Sequence, residues 1–199
     1  TFRFDSEHYQ KKYQTIIKKL EKHSNLYDLK DLISQPVITG HTPSMKIDRY
    51  YNGNVKFIKT DNLRENKITQ DFTHYLSKEG NDTRKNSQLR KDDIITTIIG
   101  ATYEIVGRTS IIQEEILPAN INQNIALIRP DNSKINSHFL NIYLNTFYGR
   151  NMLYYHSRQT EQVNLNCREV EYIKVPIFKK LETKIEEIVK TIETLKKSS

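Results

Sequence analysis

Asp92-Asp93-Ile94-Ile95-Thr96-Thr97-Ile98-Ile99-Gly100 is the stretch on which the reading of the fold turns. Ile94 to Ile99 are all β-branched, a side-chain type that is stiff about its first torsion and packs well on a pleated surface. No polar residue alternates with charged ones along the run, so it predicts a strand buried on both faces. The acidic pair before it and Gly100 after it supply turn chemistry at either end.

Outward from this strand the pattern stays short and mixed. Val55–Lys59 alternates in the manner of a half-buried strand. Glu104–Ile112, broken by Gly107, and Ile125–Ile128, stopped by Pro130, predict two more strands. Asn136–Tyr155 has helical spacing, with Phe139, Leu140, Tyr143, Leu144 and Phe147 on one face and Gly149 as its C-cap or kink. Gln162–Leu165 is extended, Asn166 caps a short helical turn, and Tyr172–Val175 is strand-like up to Pro176. Short strands in the middle with helices late in the chain predict an α+β fold with a mixed β-sheet, not a regular βαβ array.

Both ends predict helices. Residues 5–22 begin with Asp5 as N-cap and Glu7 in the first turn, and place Tyr9, Tyr13, Ile16 and Leu20 on one face. Lys11, Lys12, Lys18 and Lys19 fall on the other. Near the C-terminus, Leu181, Ile185, Ile188, Ile192 and Leu195 follow a heptad, with Ile185 and Ile192 at a and the others at d. Helices this short are marginal alone, so each seam needs a partner: the other seam, another subunit, or the body of the domain. The narrow a/d stripe favours helix–helix pairing. The expected architecture is a mixed-sheet body over residues 25–176, flanked by helices at 1–24 and 177–199 that pair as an antiparallel coiled coil.

The chain has 199 residues, and 31 basic against 24 acidic side chains leave a net charge of +7. The excess is spread along the sequence, which suits either a solvated surface or a polyanion-binding protein that makes contacts from several loops. No window is long and apolar enough to predict a membrane span, and a lone cysteine, Cys167, fits a reducing, cytoplasmic setting. The first residue is Thr1 rather than Met, which points to a processed or excised segment.

Catalytic signatures are sparse. His8, His23, His41, His74, His138 and His156 have no ligand spacing, and Cys167 has no cysteine neighbour, so no metal site is expected. The glycines form neither a Walker loop nor a dinucleotide fingerprint, and no nucleophile elbow is present. Glu182-Thr183-Lys184 has the look of a nuclease fragment, but heptad spacing puts it on the polar face of a helix. Asp92–Asp93 serves equally well as a turn before a strand. The chain reads as a non-catalytic module.

Information is concentrated in four polar, turn-rich segments flanked by aromatics. They are Thr39-Gly40-His41-Thr42-Pro43-Ser44, leading into Arg49–Asn62; Leu89-Arg90-Lys91-Asp92-Asp93, leading to Ile99-Gly100-Ala101-Thr102; Asn120-Ile121-Asn122-Gln123-Asn124-Ile125-Ala126; and Gln162-Val163-Asn164-Leu165-Asn166, leading to Ile173-Lys174-Val175-Pro176. In this order they resemble the specificity (S) subunit of type I restriction–modification systems, and equally the recognition domains of fused restriction–methyltransferase enzymes. The resemblance lies in a G-x-T-P-S turn, an aromatic Y-x-G-x-[IV]-x-[FW]-[IV] strand, an acidic turn before a strand, an N-Q strand start, a Q-x-N-L segment and a V-P before a long helix. Lys91 stands where the family often has glycine, and the chain resembles one half of a subunit that carries two recognition domains.

That resemblance implies sequence-specific recognition of double-stranded DNA. A methyltransferase (M) subunit would carry the S-adenosylmethionine chemistry, and a restriction (R) subunit the ATP- and Mg-dependent cleavage. No cofactor is expected on this chain. The other half-site would be read by a second recognition domain or a second copy. Base readers are typically amide, hydroxyl and guanidinium groups on stiff loops, with neighbouring cations on phosphates. The expected readers are Thr42, Ser44, Asn62, Arg64, Thr102, Tyr103, Arg158, Gln159 and Gln162. The expected phosphate contacts are Lys46, Lys59, Lys67, Arg84, Lys85 and Arg90. The same residues have structural readings. Gly40 and Pro43 punctuate a turn, Tyr50, Tyr51 and Phe57 suit a core, Asn122 and Gln123 suit a strand start, and residues 78–91 suit a solvated loop. Two other functions stay open: the recognition domain of a single-chain type II restriction–methyltransferase enzyme, and a coiled-coil protein-interaction module.

Overall fold

The structure, a computed structural model, describes residues 7–102, 104–159 and 163–198, with side chains for 11–102, 104–157 and 163–196. The helices are α1 (Glu7–Glu21), α2 (Lys78–Asp82), α3 (Ser137–Asn145), α4 (Phe147–His156), α5 (Cys167–Glu171) and α6 (Lys179–Ser198). The first strands are β1 (Leu26–Asp28), β2 (Ile38–Thr39), β3 (Tyr51–Ile58), β4 (Leu63–Arg64), β5 (Lys67–Ile68), β6 (Tyr75–Leu76) and β7 (Ile94–Thr97). Then follow β8 (Ile99–Gly100), β9 (Thr109–Ile111), β10 (Ala119–Ile121), β11 (Ile125–Ile128), β12 (Arg158–Gln159), β13 (Val163–Asn164) and β14 (Lys174–Pro176).

The β-branched run forms the centre. β7 lies inside an antiparallel sheet ordered β2-β11-β7-β9, with Ile125 opposite Thr97 and Ile128 opposite Ile94. All four β7 residues are buried. Alternation of side chains along a strand distributes them between two cores. Ile94, Ile98, Ala126 and Ile128 pack with the helices on one face. Ile95, Ile125 and Leu127 pack on the other face with Ile58, Leu63 and Ile121. A three-stranded sheet, β10-β3-β6, covers that second face, with β10 parallel and β6 antiparallel to β3. The chain is thus α+β with mixed sheets.

Two expected elements take a different form. Of Glu104–Ile112, only β9 is a strand, because Gly107 sits at φ +80° and residues 104–107 turn back under β7. The helix expected over 136–155 divides at Thr146, not at Gly149. The Thr146 hydroxyl donates to the Tyr143 carbonyl at 2.7 Å and accepts the Gly149 N–H at 3.2 Å, ending α3 and capping α4 with one side chain. A Cβ on Gly149 would stand 2.2 Å from the Tyr143 carbonyl oxygen, so glycine lets the two helices abut.

Among the described residues the terminal helices share no extensive contact with each other, and the body of the domain supplies each with a neighbour. α1 rests on α4 and β14, burying Ile16 and Leu20, with the Tyr13 ring stacked 3.6 Å from that of Tyr155. Tyr9 is in α1, its side chain outside the described set. α6 packs on α3 through Ile185 and Val189. The rest of its seam is open: Leu181 is 46% exposed, Ile188 58%, Ile192 47% and Leu195 61%. Glu182, expected on the polar face, is buried and accepts the Asn136 N–H at the start of α3. α3 meets α6 along positions a and e, at Ile185, Glu182 and Val189, and not along a and d. Among the described residues no helix is long and apolar enough to cross a membrane.

Candidate nucleic-acid interface

The registers place several loops at one edge of the central sheet. β2 ends where β11 begins, β7 ends opposite that start, and β9 begins beside it. The segments 40–46, 98–102, 104–108 and 122–124 therefore emerge side by side. Asn122 N–H donates to the Ile58 carbonyl, which brings the chain after β3 to the same edge. Leu165 N–H donates to the Ile98 carbonyl, and β13 pairs with both β8 and β12, which adds residues 158–159 and 163–164. Five stretches far apart in sequence thus meet in one place.

The turn at 40–44 is held from both sides. Gly40 is essential to this, since a Cβ there would lie 1.8 Å from the Ile121 carbonyl oxygen. Thr42 Oγ1 is hydrogen-bonded to Gln123 Oε1, and Tyr51 donates its phenol to the Pro43 carbonyl at 2.6 Å. Ser44, Met45 and Lys46 stay exposed beyond this brace. Tyr51 packs with the small core of Val55, Phe57 and Leu76, so its aromatic ring is structural.

The sequence candidates divide. Thr42, Ser44, Lys46, Lys59 and Thr102 converge on the edge, together with the backbone of Arg158 and Gln159; Tyr103, Gln162 and the side chains of Arg158 and Gln159 lie outside the described residues. Thr102 is exposed, and its hydroxyl bonds to Glu104, which holds that carboxyl below its ordinary range. Lys59 Nζ sits 2.8 Å from His74 Nδ1; burial and that ammonium together lower the imidazole's pKa. Asn62 departs from the expectation of a base reader. It is 4% exposed, its oxygen accepts the Lys59 N–H and its amide donates to the Asp71 carbonyl, so it ties the turn before β4. Arg64 is exposed, although its guanidinium donates to the Asp61 carbonyl at 2.6 Å. Lys67 is exposed and lines a groove of about 450 Å³ beside Ile188 and Ile192 of α6. Arg84, Lys85 and Arg90 are exposed on the segment between α2 and β7, and Lys91 is tied to Glu193 of α6.

Sequence reasoning passed over the supports. Gln123 braces Thr42, and Asn120, which is 2% exposed, joins β10 to the Arg84 loop. Its signal was a polar residue between Ala119 and Ile121, both apolar and buried. Cys167 is partly buried, and burial raises its thiol pKa, as does the Glu171 charge, while Arg84 draws it down. Among the described residues no group of three His, Cys, Asp or Glu side chains could hold a metal ion.

A sheet edge that collects braced, polar and cationic loops is suited to contact a polyanion. The chain matches the type I restriction modification DNA specificity domain over residues 11–199 and belongs to that family. It is 29% identical over 141 residues to the specificity subunit of the type I restriction enzyme EcoBI of Escherichia coli, covering 71% of this chain and 28% of that protein. The HsdS subunit of Thermoanaerobacter tengcongensis shares the fold at 15% identity, with a TM-score of 0.55 over 97% of this chain and 46% of that one. The S subunit of a type I restriction–modification system from M. genitalium does so at 11% identity, with a TM-score of 0.54 over 86% and 40%. The chain spans less than half the length of these relatives.

Proposed function

We propose that this chain reads one half-site of a double-stranded DNA sequence as half of a type I specificity subunit, and performs no chemistry itself. The observation that carries this reading is the convergence of five loops on one sheet edge, where Lys46, Lys59 and Thr102 share the edge with the backbone of Arg158 and Gln159. Base edges are read by side chains whose loops are already ordered, and neighbouring cations hold the phosphates. The bracing of Thr42 by Gln123 supplies such order. Residues 25–176 form the recognition unit in this reading. The helices at 1–24 and 177–199 serve as attachments, with the open seam of α6 as the surface for a second recognition domain or a second copy. A methyltransferase subunit brings S-adenosylmethionine and a restriction subunit brings ATP and Mg, all within the cytoplasm.

The deciding experiment maps methylated sites in cells carrying the parent system, with and without Arg158→Ala and Gln162→Ala. The expected outcome is loss or relaxation of one half of the modified motif. An unchanged motif would remove these two residues from the readers. Absence of salt-dependent DNA binding, even with the methyltransferase subunit present, would leave an interaction module in place of a DNA reader.

A further inference from the structure

The segment from Ser77 to Arg90 carries Arg84, Lys85 and Asn86 on an exposed knuckle, whose own bonds are local turns: Arg84 N–H to the Asn81 carbonyl, Ser87 N–H to that of Arg84 and Gln88 N–H to that of Lys85. α2 is five residues long and has little stability of its own. A further hold on the segment comes from outside it. Asn120 is in β10, where Ala119 and Ile121 face the core shared with the central sheet, so strand alternation turns Asn120 to the opposite face. There its amide is fully engaged. The nitrogen donates to Asn81 Oδ1 at 2.8 Å, and lies 3.4 Å from the Asn81 carbonyl and 3.3 Å from that of Arg84. The oxygen accepts the Ser87 hydroxyl at 2.8 Å and the Ile121 N–H at 2.9 Å. One buried side chain therefore holds the knuckle at its entrance, its apex and its exit. Neither Arg84 nor Lys85 has a carboxylate within ion-pair distance among the described residues, so both charges are presented outward uncompensated.

We infer that Asn120 is a positioning residue, whose amide sets Arg84 and Lys85 in place to contact two backbone phosphates of duplex DNA. The inference rests on the DNA-binding reading above and deepens it, since the residue touches no nucleotide itself. A carboxylate at this site would keep both acceptor roles toward Ser87 and Ile121. It would, however, turn a charged oxygen toward two carbonyls where a donor now stands, releasing the knuckle while leaving β10 paired.

The test is the salt dependence of binding by the full chain to a random-sequence duplex. Each phosphate neutralised adds about −0.9 to the slope of log affinity against log salt. Arg84→Ala with Lys85→Ala is expected to flatten the slope by about 1.8. Asn120→Asp is expected to flatten it by a similar amount, and to add nothing in the Arg84→Ala, Lys85→Ala background. A merely structural role for Asn120 would lower the unfolding midpoint and leave the slope alone. If Asn120→Asp does not fold, Asn81→Ala removes the shortest of the three acceptors without altering the strand, and is expected to flatten the slope in the same direction. A flattened slope for the Arg84 and Lys85 pair but not for Asn120→Asp or Asn81→Ala overturns the positioning role and leaves DNA binding standing. No change for the pair itself, or no binding at all, overturns the inference together with the part of the DNA-binding reading on which it rests.

Discussion

Arg129 grips Asp93 through two parallel hydrogen bonds, Nε to Oδ1 and Nη2 to Oδ2, each 2.7 Å long. Their side chains are 11% and 2% exposed, and the pair joins the end of β11 to the start of β7. Arg129 also donates to Gln35 Oε1 and to the Gln88 carbonyl, while Asp93 accepts the Arg90 N–H. Removing one partner of a buried pair strands the other charge. Asp93→Ala is therefore expected to destabilise the fold by about 3–5 kcal/mol in urea unfolding. Asp93→Leu combined with Arg129→Met should recover much of that loss; a double variant no better than the single one would contradict the ionic origin of the effect.

Gly40→Ala tests the bracing of the 40–44 turn. The added methyl would need to push β2 from the Ile121 carbonyl, now 1.8 Å from the ideal Cβ position. Overpacking of this kind costs about 1–3 kcal/mol, and the expected result is a lowered unfolding midpoint together with weaker DNA binding. Unchanged stability would mean that the turn relaxes freely.

The open seam of α6 should behave as an interface. Ile188→Glu with Ile192→Glu changes side chains that are 58% and 47% exposed, and surface changes usually alter stability by no more than about 0.5 kcal/mol. Sedimentation of the unaltered chain should show a mass that rises with concentration, and the double variant should stay monomeric. Persistence of the larger species in the variant would place the contact elsewhere.

His74 should titrate below its ordinary 6.5, first because burial disfavours the imidazolium and second because Lys59 repels it. In the unfolded chain the imidazole takes its proton at a higher pH than in the fold. This site thus contributes stability that is present above about pH 6.5 and is lost as pH falls through the folded value. An NMR titration should place its midpoint below 6.5 and show it rising in Lys59→Met. A midpoint unmoved by that substitution would assign the depression to burial alone.

Local chemistry was legible where one segment decides its own conformation. The β-branched run became β7, Ile125–Ile128 became β11, and Asn166 caps α5 through its bond to the Glu169 N–H. The role of Asn62 is not legible in this way. A polar side chain on a loop has the same sequence signature whether it faces solvent, as Ser44 does, or binds the loop's own backbone, as Asn62 does.

The heptad of α6 marks the limit. Spacing alone establishes that Leu181 to Leu195 form an apolar stripe in need of cover, because helical periodicity is a property of the segment. It leaves open what covers the stripe, because that depends on surfaces brought up by residues distant in sequence. Only the tertiary structure decided that α1 lies on α4 while α6 lies on α3, and that the chain at 40, 59, 102, 123 and 158 reaches one sheet edge. Strand order sets which loop ends become neighbours, and that order is settled by the packing of two cores on either face of β7, which no single stretch of sequence contains.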